Sequence, residues 1–515
     1  MNKPTKSVVI VGGGTAGWLI AGRIAAQHNS KDSNNLQVTL IESAKISPVN
    51  VGEGTWPTMR NTLKKMGVSE TEFIQQCCVS FKQGAKFARW LDGSVDDFYY
   101  HPLVLPQSYS NINLAPYWQT DSEQSNSSFS NSVCFQEQLC EQGLAPKLIT
   151  TAEYVGVANY AYHLDSAKFA NFLKKHCTDK LGVKHIVDDV LSVNSHENAD
   201  ISSLVTSKNG NISADLFVDC SGFSAILIGK HYKTPFNDKS DVLFVNQALA
   251  VQLPNQKNND EIASHTISTA QDAGWIWDIG LPTRRGIGYV YSDNHQSEAQ
   301  AIERLAVYVG PNFSESNLKK IPIKAGHRKI FWQNNCVAVG LASGFLEPLE
   351  ASSLVLVEMS ADMIAEQLPA CRQTMDIIAK RFNQTFNYRW KRIIDFLKLH
   401  YILSKRTEDF WLDNRNPKTI PDSLQELMEL WKYHSPYDHD FNSSNEVFPA
   451  ASYQYILYGM GFKTDIEYQK SSLNQQTFAQ QQFVANKAIT IKACEVLPKN
   501  RDLLNKIYKY GFQHV

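Results

Sequence analysis

A glycine-rich turn near the N terminus has residue types and spacing suited to holding a phosphate group. Gly12, Gly14 and Gly17 follow the pattern GxGxxG, with Thr15 and Ala16 between the last two. The first glycine permits a tight turn, the second lets the backbone approach a pyrophosphate, and the third lets a helix pack closely. The unpaired N–H groups and dipole of that helix favour phosphate. This turn therefore predicts a dinucleotide site.

An acidic residue supports this prediction. Glu42 lies about 25 residues beyond the turn, at the end of a predicted strand over residues 37–41. A carboxylate in that place accepts hydrogen bonds from both ribose hydroxyls. A glycine-rich turn without a ligand is the alternative, and these residues alone do not distinguish NAD from FAD.

Two further residue types could do chemistry. Lys82 lies in an aromatic stretch with Phe81 and Phe87, where burial would be costly unless the amine is paired, and would lower its pKa. The alternative is an exposed basic face formed with Lys86. Glu350 is a carboxylate that could accept a proton; the alternative for Glu350 and Glu347 is a place in the first turn of a helix, stabilised by the helix dipole.

Hydrophobic patterns predict the elements that position these residues. A strand over 7–11, a helix over 15–27 and the strand over 37–41 form a βαβ opening, which implies an open α/β sheet. Thr55 and Pro57 are expected to begin a helix that Gly67 ends. A further strand over 337–340 is expected to return to this sheet.

The rest of the chain divides into a strand-rich part and a helix-rich part. Asp165 is expected to start a helix over 166–177. The predicted strands that follow lie near residues 183–193, 202–207, 214–219, 242–253 and 275–291. The turn at 209–211 predicts a hairpin between the strands near 202–207 and 214–219. The polar segment 106–136 predicts a surface excursion or lid, and Lys380–Leu403 predicts one long amphipathic helix.

Composition excludes several classes of function. The chain has 515 residues and a formal net charge of −1, so no overall field attracts nucleic acid or an anionic membrane. The start of the chain lacks the pattern of a signal peptide, and no window is apolar enough to span a bilayer. The nine cysteines have no disulfide or zinc spacing, and no metal site is expected. We expect a cytoplasmic protein.

Five blocks, in order along the chain, resemble the flavin-dependent tryptophan halogenase family, which shares its fold with the aromatic hydroxylases. The blocks are GGGTAGW (12–18), VGEGTWP (51–57), FKQGAKFARW (81–90), GWIWDI (274–279) and EPLE (347–350). DCSGF (219–223) and the segment 337–344, which contains Gly340, also match. The resemblance implies an FAD-binding Rossmann-like sheet of the aromatic hydroxylase type, a mixed β substrate region and a mostly helical C-terminal domain. We expect residues 1–360 to form the flavin and substrate module, and 361–515 to form a helical domain that closes the substrate site.

The resemblance also implies a two-component reaction. A separate NAD(P)H flavin reductase supplies reduced FAD, which with oxygen and a halide gives hypohalous acid. Lys82 matches the lysine and Glu350 the carboxylate of the family's chemistry, with Glu347 as the nearest rival of Glu350. The amine would hydrogen-bond hypohalous acid or be halogenated by it. A fixed position is needed because free hypohalous acid halogenates indiscriminately.

The remaining expected roles are also implied by the resemblance. Ser352 and Ser353 lie where the family binds halide, although Ala351 replaces the usual serine. Trp275 and Trp277 match a WxWxI element that would separate substrate from flavin; Gly280 stands where the family has proline. The alternative for both indoles is the protein core.

His101 and Tyr453 could line a substrate chamber, although most aromatic clusters are core. No match was found to the residues that grasp the amino-acid group of tryptophan. The substrate is therefore expected to be an electron-rich arene, such as tryptophan, an indole, a phenol or a pyrrole. A single-component FAD aromatic monooxygenase and a flavin-binding protein without activity are the alternatives. A homodimer is left open.

Overall fold

The protein is represented by a computed structural model that describes residues 3–29, 36–45, 52–121, 127–257, 259–443 and 445–512. Within these residues the strands are β1 (Ser7–Val11), β2 (Gln37–Glu42), β3 (Gly52–Gly54), β4 (Ser80–Lys82), β5 (Gly84–Ala88), β6 (Phe98–Pro102), β7 (Ala161–Asp165), β8 (Lys184–Val187), β9 (Val190–Ser195), β10 (Ile201–Thr206), β11 (Asn211–Ile212), β12 (Leu216–Asp219), β13 (Phe236–Asp238), β14 (Gln247–Pro254), β15 (Thr266–Gln271), β16 (Gly274–Gly280), β17 (Arg284–Tyr291), β18 (Lys319–Pro322), β19 (Gly326–Arg328), β20 (Trp332–Gln333), β21 (Cys336–Ala338) and β22 (Gly344–Phe345).

The α-helices of the same described ranges are α1 (Thr15–His28), α2 (Thr58–Lys65), α3 (Glu70–Gln76), α4 (Ala115–Thr120), α5 (Phe129–Val133), α6 (Gln136–Glu141), α7 (Ser166–Leu181), α8 (Glu298–Val309), α9 (Ser352–Glu366), α10 (Arg372–Ile402), α11 (Asp409–Asn414), α12 (Asp422–Trp431), α13 (Ala450–Gly459), α14 (Gln476–Val496) and α15 (Asn500–Tyr510). In this described part of the chain, no helix is both long enough and apolar enough to cross a membrane.

The chain divides into two compact units, each assembled from three segments. The first unit consists of Met1–Val79, Leu164–Lys239 and Lys324–Trp390, and the second of Ser80–His163, Ser240–Ile323 and Lys391–Val515. This division differs from the expected boundary at residue 360. The secondary-structure content changes near that boundary, but each compact unit takes segments from several parts of the chain.

The first unit contains a six-stranded sheet in the order β20-β21-β12-β1-β2-β8. β1 pairs in parallel with both β12 and β2, so the predicted βαβ opening is confirmed. The strand predicted at 337–340 is confirmed as β21, which pairs in parallel with β12. Helix α1 packs against α7 and α9, which places the N-terminal end of α9 in the same unit as the glycine-rich turn.

The predicted hairpin between the strands near 202–207 and 214–219 is wrong. The turn joins β10 to the two-residue strand β11, and β9, β10 and β11 form a separate antiparallel sheet. Every residue of β12 is buried, as is typical of a parallel strand covered on both faces. The position of β12 is therefore determined by its buried pairing with β1 and β21 in the larger sheet. A local turn signal gives no information about such distant partners.

Helix starts were predicted with mixed success. Asp165 is confirmed as the start of α7, since its side chain accepts a hydrogen bond from the Lys168 backbone N–H at 3.0 Å. Helix α2 instead begins at Thr58 with Pro57 as its N-cap, so the prediction of Thr55 as the cap is wrong. Gly67 follows α2 with a φ of 71°, in the left-handed region that favours glycine.

The second unit contains a seven-stranded sheet in the order β18-β14-β17-β16-β15-β5-β6. The predicted strands over 242–253 and 275–291 are found there as β14, β16 and β17. One face of the sheet buries an apolar cluster that includes Leu249, Ile276, Tyr289 and, from α8, Leu305. Because side chains alternate along a strand, the neighbours of Ile276 on β16 point to the other face.

The polar segment 106–136 is not a surface excursion in its described part. It contains α4 and α5, and its apolar side chains pack with α13 in a buried cluster. That cluster includes Ile112, Leu114, Tyr117, Phe129, Val133, Tyr455 and Tyr458. The segment is polar on average, but its few apolar side chains are spaced so that they can be buried together. Residues 122–126 lie outside the described residues, as does Val51 of the VGEGTWP block.

The long helix predicted over 380–403 is confirmed as α10, which begins earlier, at Arg372. Its C-terminal half is not amphipathic, because residues 392–400 are buried on all sides. Its buried charged side chains have partners in the protein: Arg392 bonds Asp395 of the same helix at 3.0 Å, and Lys398 donates to the Val242 carbonyl at 2.9 Å. Buried polar groups need such partners, and sequence periodicity does not reveal them.

Candidate active site

The glycine-rich turn has the geometry that its sequence predicts. Gly12 has a φ of 119°, and a Cβ atom there would lie 2.1 Å from the Cys220 carbonyl oxygen. A Cβ on Gly17 would lie 1.9 Å from the Gly12 carbonyl oxygen. By contrast, a Cβ on Gly14 would meet no atom within 4 Å, although Gly14 is the N-cap of α1. The turn is thus closed on the protein side and open at Gly14.

Glu42 lies beside this turn. A Cβ on Gly13 would be 1.7 Å from Glu42 Oε2, so only glycine permits the carboxylate to lie there. The other carboxylate oxygen accepts a hydrogen bond from Lys174 Nζ at 2.7 Å and contacts His185 Nε2 at 2.8 Å. Sequence reasoning did not identify Lys174 or His185, because no spacing rule connects them to Glu42.

Two segments from later in the chain complete the surroundings of the turn. The buried Asp219 carboxylate accepts hydrogen bonds from the backbone N–H groups of Leu227 and Ile228, both at 2.8 Å. Gly340 has a φ of 66°, and a Cβ there would lie 3.0 Å from the Cβ of Ala16. Gly340 is thereby confirmed as a neighbour of the turn, while its role in cofactor binding stays a prediction.

Glu347 and Glu350 lie in the loop and turn that precede α9, and both side chains are buried. The alternative that they are first-turn helix residues is wrong, because α9 begins at Ser352. Ala351 is the N-cap, has a φ of 53° and offers no side-chain hydrogen bond to the helix. Ser352 is buried and Ser353 half-buried in the first turn, where backbone N–H groups favour an anion.

Lys82 is buried, with 5% of its surface exposed, at the end of β4. The alternative of an exposed basic face is therefore wrong for Lys82. Lys86 is the more exposed of the two, and its ammonium bonds Glu141 at 2.5 Å. Strand β4 pairs with β7, with Lys82 opposite Ala161. Its Ser80 hydroxyl donates to the Gly280 carbonyl at 2.5 Å, which joins β4 to the end of β16.

A buried histidine lies near Lys82 that sequence reasoning missed. His163 faces Ser80 in the pairing of β4 with β7, and its Nε2 contacts the Thr266 hydroxyl at 2.8 Å. Burial lowers the pKa of His163 well below its usual range, and the positive charge of Lys82 lowers it further. The imidazole is therefore neutral at pH 7. No motif or spacing in the sequence marks this residue.

Trp275 and Trp277 lie on one face of β16, opposite the face that packs on α8. Their ring centroids are 6.4 Å apart, and both side chains are buried. The Trp277 indole lies across Gly288 of β17, where a Cβ would come within 2.0 Å of the ring. Both indoles are thus closely packed, and their role as a barrier between substrate and flavin stays a prediction.

His101 and Tyr453 are each fixed by a polar contact in the second unit. His101 Nε2 lies 2.9 Å from the Ser452 hydroxyl of α13, and its ring faces Phe396 at a centroid distance of 5.6 Å. Tyr453 is fully buried, and its hydroxyl lies 2.9 Å from Arg392 Nη2. The predicted substrate-lining roles of both residues are not tested by these contacts.

The candidate residues fall into two groups. The first unit holds Gly12, Gly14, Thr15, Ala16, Gly17, Glu42, Gly340, Glu350, Ser352 and Ser353. The second unit holds Lys82, His101, Trp275, Trp277 and Tyr453. The glycine-rich turn after β1, the acidic residue at the end of β2 and the returning strands β12 and β21 define the first unit as a Rossmann-like dinucleotide-binding fold of the flavoprotein oxidoreductase class.

Comparison with known proteins identifies the family. The family model described as tryptophan halogenase matches residues 7–473. The tryptophan halogenase from Shewanella frigidimarina NCIMB 400 superposes with a TM-score of 0.96 at 46% identity, covering 100% of this chain and 99% of that one. Tryptophan 6-halogenase SttH from Streptomyces toxytricini is 33% identical over 88% of this chain and 89% of its own length.

A relative whose name specifies no substrate is also similar. BrvH, a flavin-dependent halogenase from Brevundimonas sp. BAL3, superposes with a TM-score of 0.86 at 30% identity, covering 98% of this chain and 99% of that one. The chain belongs to the tryptophan halogenase family. It is an enzyme of the flavin-dependent aromatic halogenase type, and the family implies the use of FAD and halide. A monooxygenase or an inactive flavin-binding protein is not favoured.

Proposed function

We propose that this enzyme halogenates an electron-rich aromatic compound, such as tryptophan or a simpler indole, with oxygen, halide and reduced FAD from a separate NAD(P)H flavin reductase. The observation that carries the proposal is the buried ammonium side chain of Lys82, next to Phe81 on β4, in a chain of this family. Lysine is almost never fully buried unless its ammonium is paired, so the burial of Lys82 needs an explanation that the family's chemistry provides.

The residues of the first unit fit FAD. The open space at Gly14 leaves room for a pyrophosphate, and the start of α1 has no side-chain cap to compete with it. Thr15, Ala16 and Gly17 would present backbone N–H groups, and Glu42 would hold the ribose. When bound and reduced, the flavin supplies the electrons that activate oxygen, so that halide is oxidised to hypohalous acid.

Halide binding is assigned to the start of α9. The backbone N–H groups of Ser352 and Ser353 lie in its first turn, where the helix dipole favours an anion. The loss of the usual serine at Ala351 does not prevent this, because backbone groups can hold a halide without that hydroxyl.

Lys82 is assigned to the use of the oxidant. Its ammonium would donate a hydrogen bond to the oxygen of hypohalous acid and hold the halogen toward the arene. The neutral His163 supports this assignment, since it adds no second positive charge beside the ammonium. Position matters because hypohalous acid that escapes loses regioselectivity.

Glu350 is assigned to proton transfer. Electrophilic substitution leaves a proton on the carbon that gains the halogen, and a carboxylate can accept it as aromaticity returns. Trp275 and Trp277 are assigned to keeping the substrate away from the flavin, so that the arene is halogenated rather than hydroxylated. His101 and Tyr453 are assigned to the walls that orient the arene.

The proposal is tested by supplying the purified enzyme with a flavin reductase, NADH, FAD and oxygen. Tryptophan and indole are offered in parallel reactions with chloride or bromide. Mass spectrometry is expected to show a product with the isotope pattern of one added halogen. A hydroxylated product, or no product from any arene in a wider panel, would contradict the proposed function.

A further inference from the structure

Trp56 makes a direct hydrogen bond to the residue proposed to move the proton. Its indole Nε1–H donates to the backbone carbonyl of Glu350 at 2.7 Å. Both residues belong to the first unit, yet they lie almost 300 positions apart in the chain. We propose that Trp56 is a positioning residue for Glu350. This inference rests on the proposed function, which gives Glu350 its role.

The bond fixes the peptide group that joins Glu350 to Ala351. The carbonyl of that peptide accepts from Trp56, and its N–H donates to the Pro348 carbonyl at 3.0 Å. With both polar groups held, the peptide plane cannot rotate without losing a hydrogen bond. The backbone from which the Glu350 side chain projects is therefore held in place.

The backbone conformation of Ala351 explains why such a restraint is needed. Its φ of 53° is in the left-handed region, which costs a non-glycine residue roughly 1–2 kcal/mol. Such a conformation persists only when the surrounding structure holds it. The Trp56 bond acts on the peptide directly before the strained residue, so it opposes relaxation of the turn between Glu350 and Ser352.

The helix that follows Trp56 provides a second attachment. Thr58 and Thr62 of α2 donate from their hydroxyls to the two carboxyl oxygens of Glu358 in α9, at 3.2 and 2.5 Å. The segment from Trp56 to Thr62 is thus bonded to α9 itself, at Glu358, and to Glu350 directly before the helix. A shift of α2 would move both points together.

The test starts from three single variants in the complete reductase-coupled reaction and then combines some of them. Trp56→Phe keeps an aromatic ring but loses the N–H donor. Trp332→Phe is the matched control, because the Trp332 indole also donates to a backbone carbonyl of the first unit, that of Asn334 at 3.2 Å. Glu350→Gln supplies the reference loss for the proton-transfer role.

We expect Trp56→Phe to lower kcat about tenfold, which corresponds to about 1.4 kcal/mol, with little change in the KM for the arene or in FAD affinity. Trp332→Phe should keep its kcat within about twofold. In the Glu350→Gln background, Trp56→Phe should cost little more, because the group that it positions is already disabled. Ala351→Gly should restore part of the kcat lost in Trp56→Phe, since glycine adopts the left-handed conformation without strain.

Three results would overturn the inference. These are an unchanged kcat in Trp56→Phe, equal losses in Trp56→Phe and Trp332→Phe, or losses that multiply fully with Glu350→Gln. If Glu350→Gln itself halogenates at the normal rate, the assigned role of Glu350 fails first and the inference fails with it. If Trp56→Phe does not fold, benzothienylalanine installed at position 56 keeps the ring shape without the N–H, and the same outcomes apply.

Discussion

Gly12 and Gly14 of the nucleotide turn differ in what an added methyl group would meet. At Gly12 the methyl would collide with the Cys220 carbonyl, and the φ of 119° is itself unfavourable for any other residue. At Gly14 the methyl would point into open space. Glycine is therefore needed at position 12 for folding, whereas at position 14 it leaves room for a ligand.

This difference predicts opposite phenotypes for two alanine substitutions. Gly12→Ala should destabilise the protein by more than about 2 kcal/mol, because collision and strain add. Gly14→Ala should unfold at the normal temperature but bind FAD at least about tenfold more weakly, because its methyl occupies the space assigned to the pyrophosphate. Thermal unfolding and flavin fluorescence titration measure the two effects. Normal FAD affinity in Gly14→Ala would place the cofactor elsewhere.

A second residue-scale prediction concerns the indole proposed as a barrier. In Gly288→Ala, the new methyl group would lie within 2.0 Å of the Trp277 ring and displace it. We expect less halogenated product and the appearance of hydroxylated arene for each reduced flavin consumed, because the barrier is assigned to preventing hydroxylation. Gly280→Ala is the control in the same hairpin, because its methyl would come no nearer than 3.1 Å to any atom, the Ile262 side chain, and would not touch Trp277. An unchanged product yield in Gly288→Ala would argue against the barrier role.

At the scale of elements, helix α9 carries a buried acid that makes its attachment sensitive to pH. Glu358 accepts hydrogen bonds from Thr58 and Thr62, and burial raises its pKa from 4.5 to about 8. The folded state therefore holds a proton that the unfolded chain releases above pH 4.5. The resulting stability is fully present below pH 4.5 and is lost as pH rises through about 8.

Glu358→Gln should remove this dependence, since an amide does not titrate. Urea unfolding between pH 5 and 8.5 measures the free energy of unfolding. In the parent protein the contribution of Glu358 to this free energy should fall by up to about 1.4 kcal/mol for each unit of rising pH, and in Glu358→Gln the profile should be flatter. Glu366→Gln is the control on the same helix, because Glu366 is half exposed. Parallel profiles for Glu358→Gln and the parent protein would contradict the assigned pKa.

The elements that the sequence predicted well are those with strong local signals. The βαβ opening combines a buried strand, a glycine-rich turn and a helix of small residues, and each signal agrees with the others. Strand β12 was given the wrong partner because pairing in a large parallel sheet is decided by distant residues. Similarly, a few apolar anchors order the segment 106–136, and averaging over a polar stretch hides them.

At the scale of the whole molecule, the candidate residues belong to two units that are interleaved along the chain. The motifs correctly indicated the nucleotide turn and drew attention to Lys82, which is buried. They did not indicate the residues that support the candidate residues, such as Lys174 at Glu42, Trp56 at Glu350 and His163 near Lys82. These contacts join positions more than 80 residues apart, and one sequence carries no record of such pairs.

The central claim is that the oxidant made with the flavin is used at Lys82. Lys82→Met, with Lys86→Met as its control, tests it in the reductase-coupled reaction with bromide and indole. Lys86 is the suitable control because its partly exposed ion pair with Glu141 contributes little to stability. Both variants should bind FAD normally, since neither lysine belongs to the glycine-rich turn.

We expect Lys82→Met to lower the yield of bromoindole at least about a hundredfold while it still consumes reduced flavin and oxygen, and Lys86→Met to retain most of the activity. Mass spectrometry of the product, with oxygen consumption followed in parallel, is the decisive measurement. Bromoindole formed by Lys82→Met at a rate close to that of Lys86→Met would contradict the account.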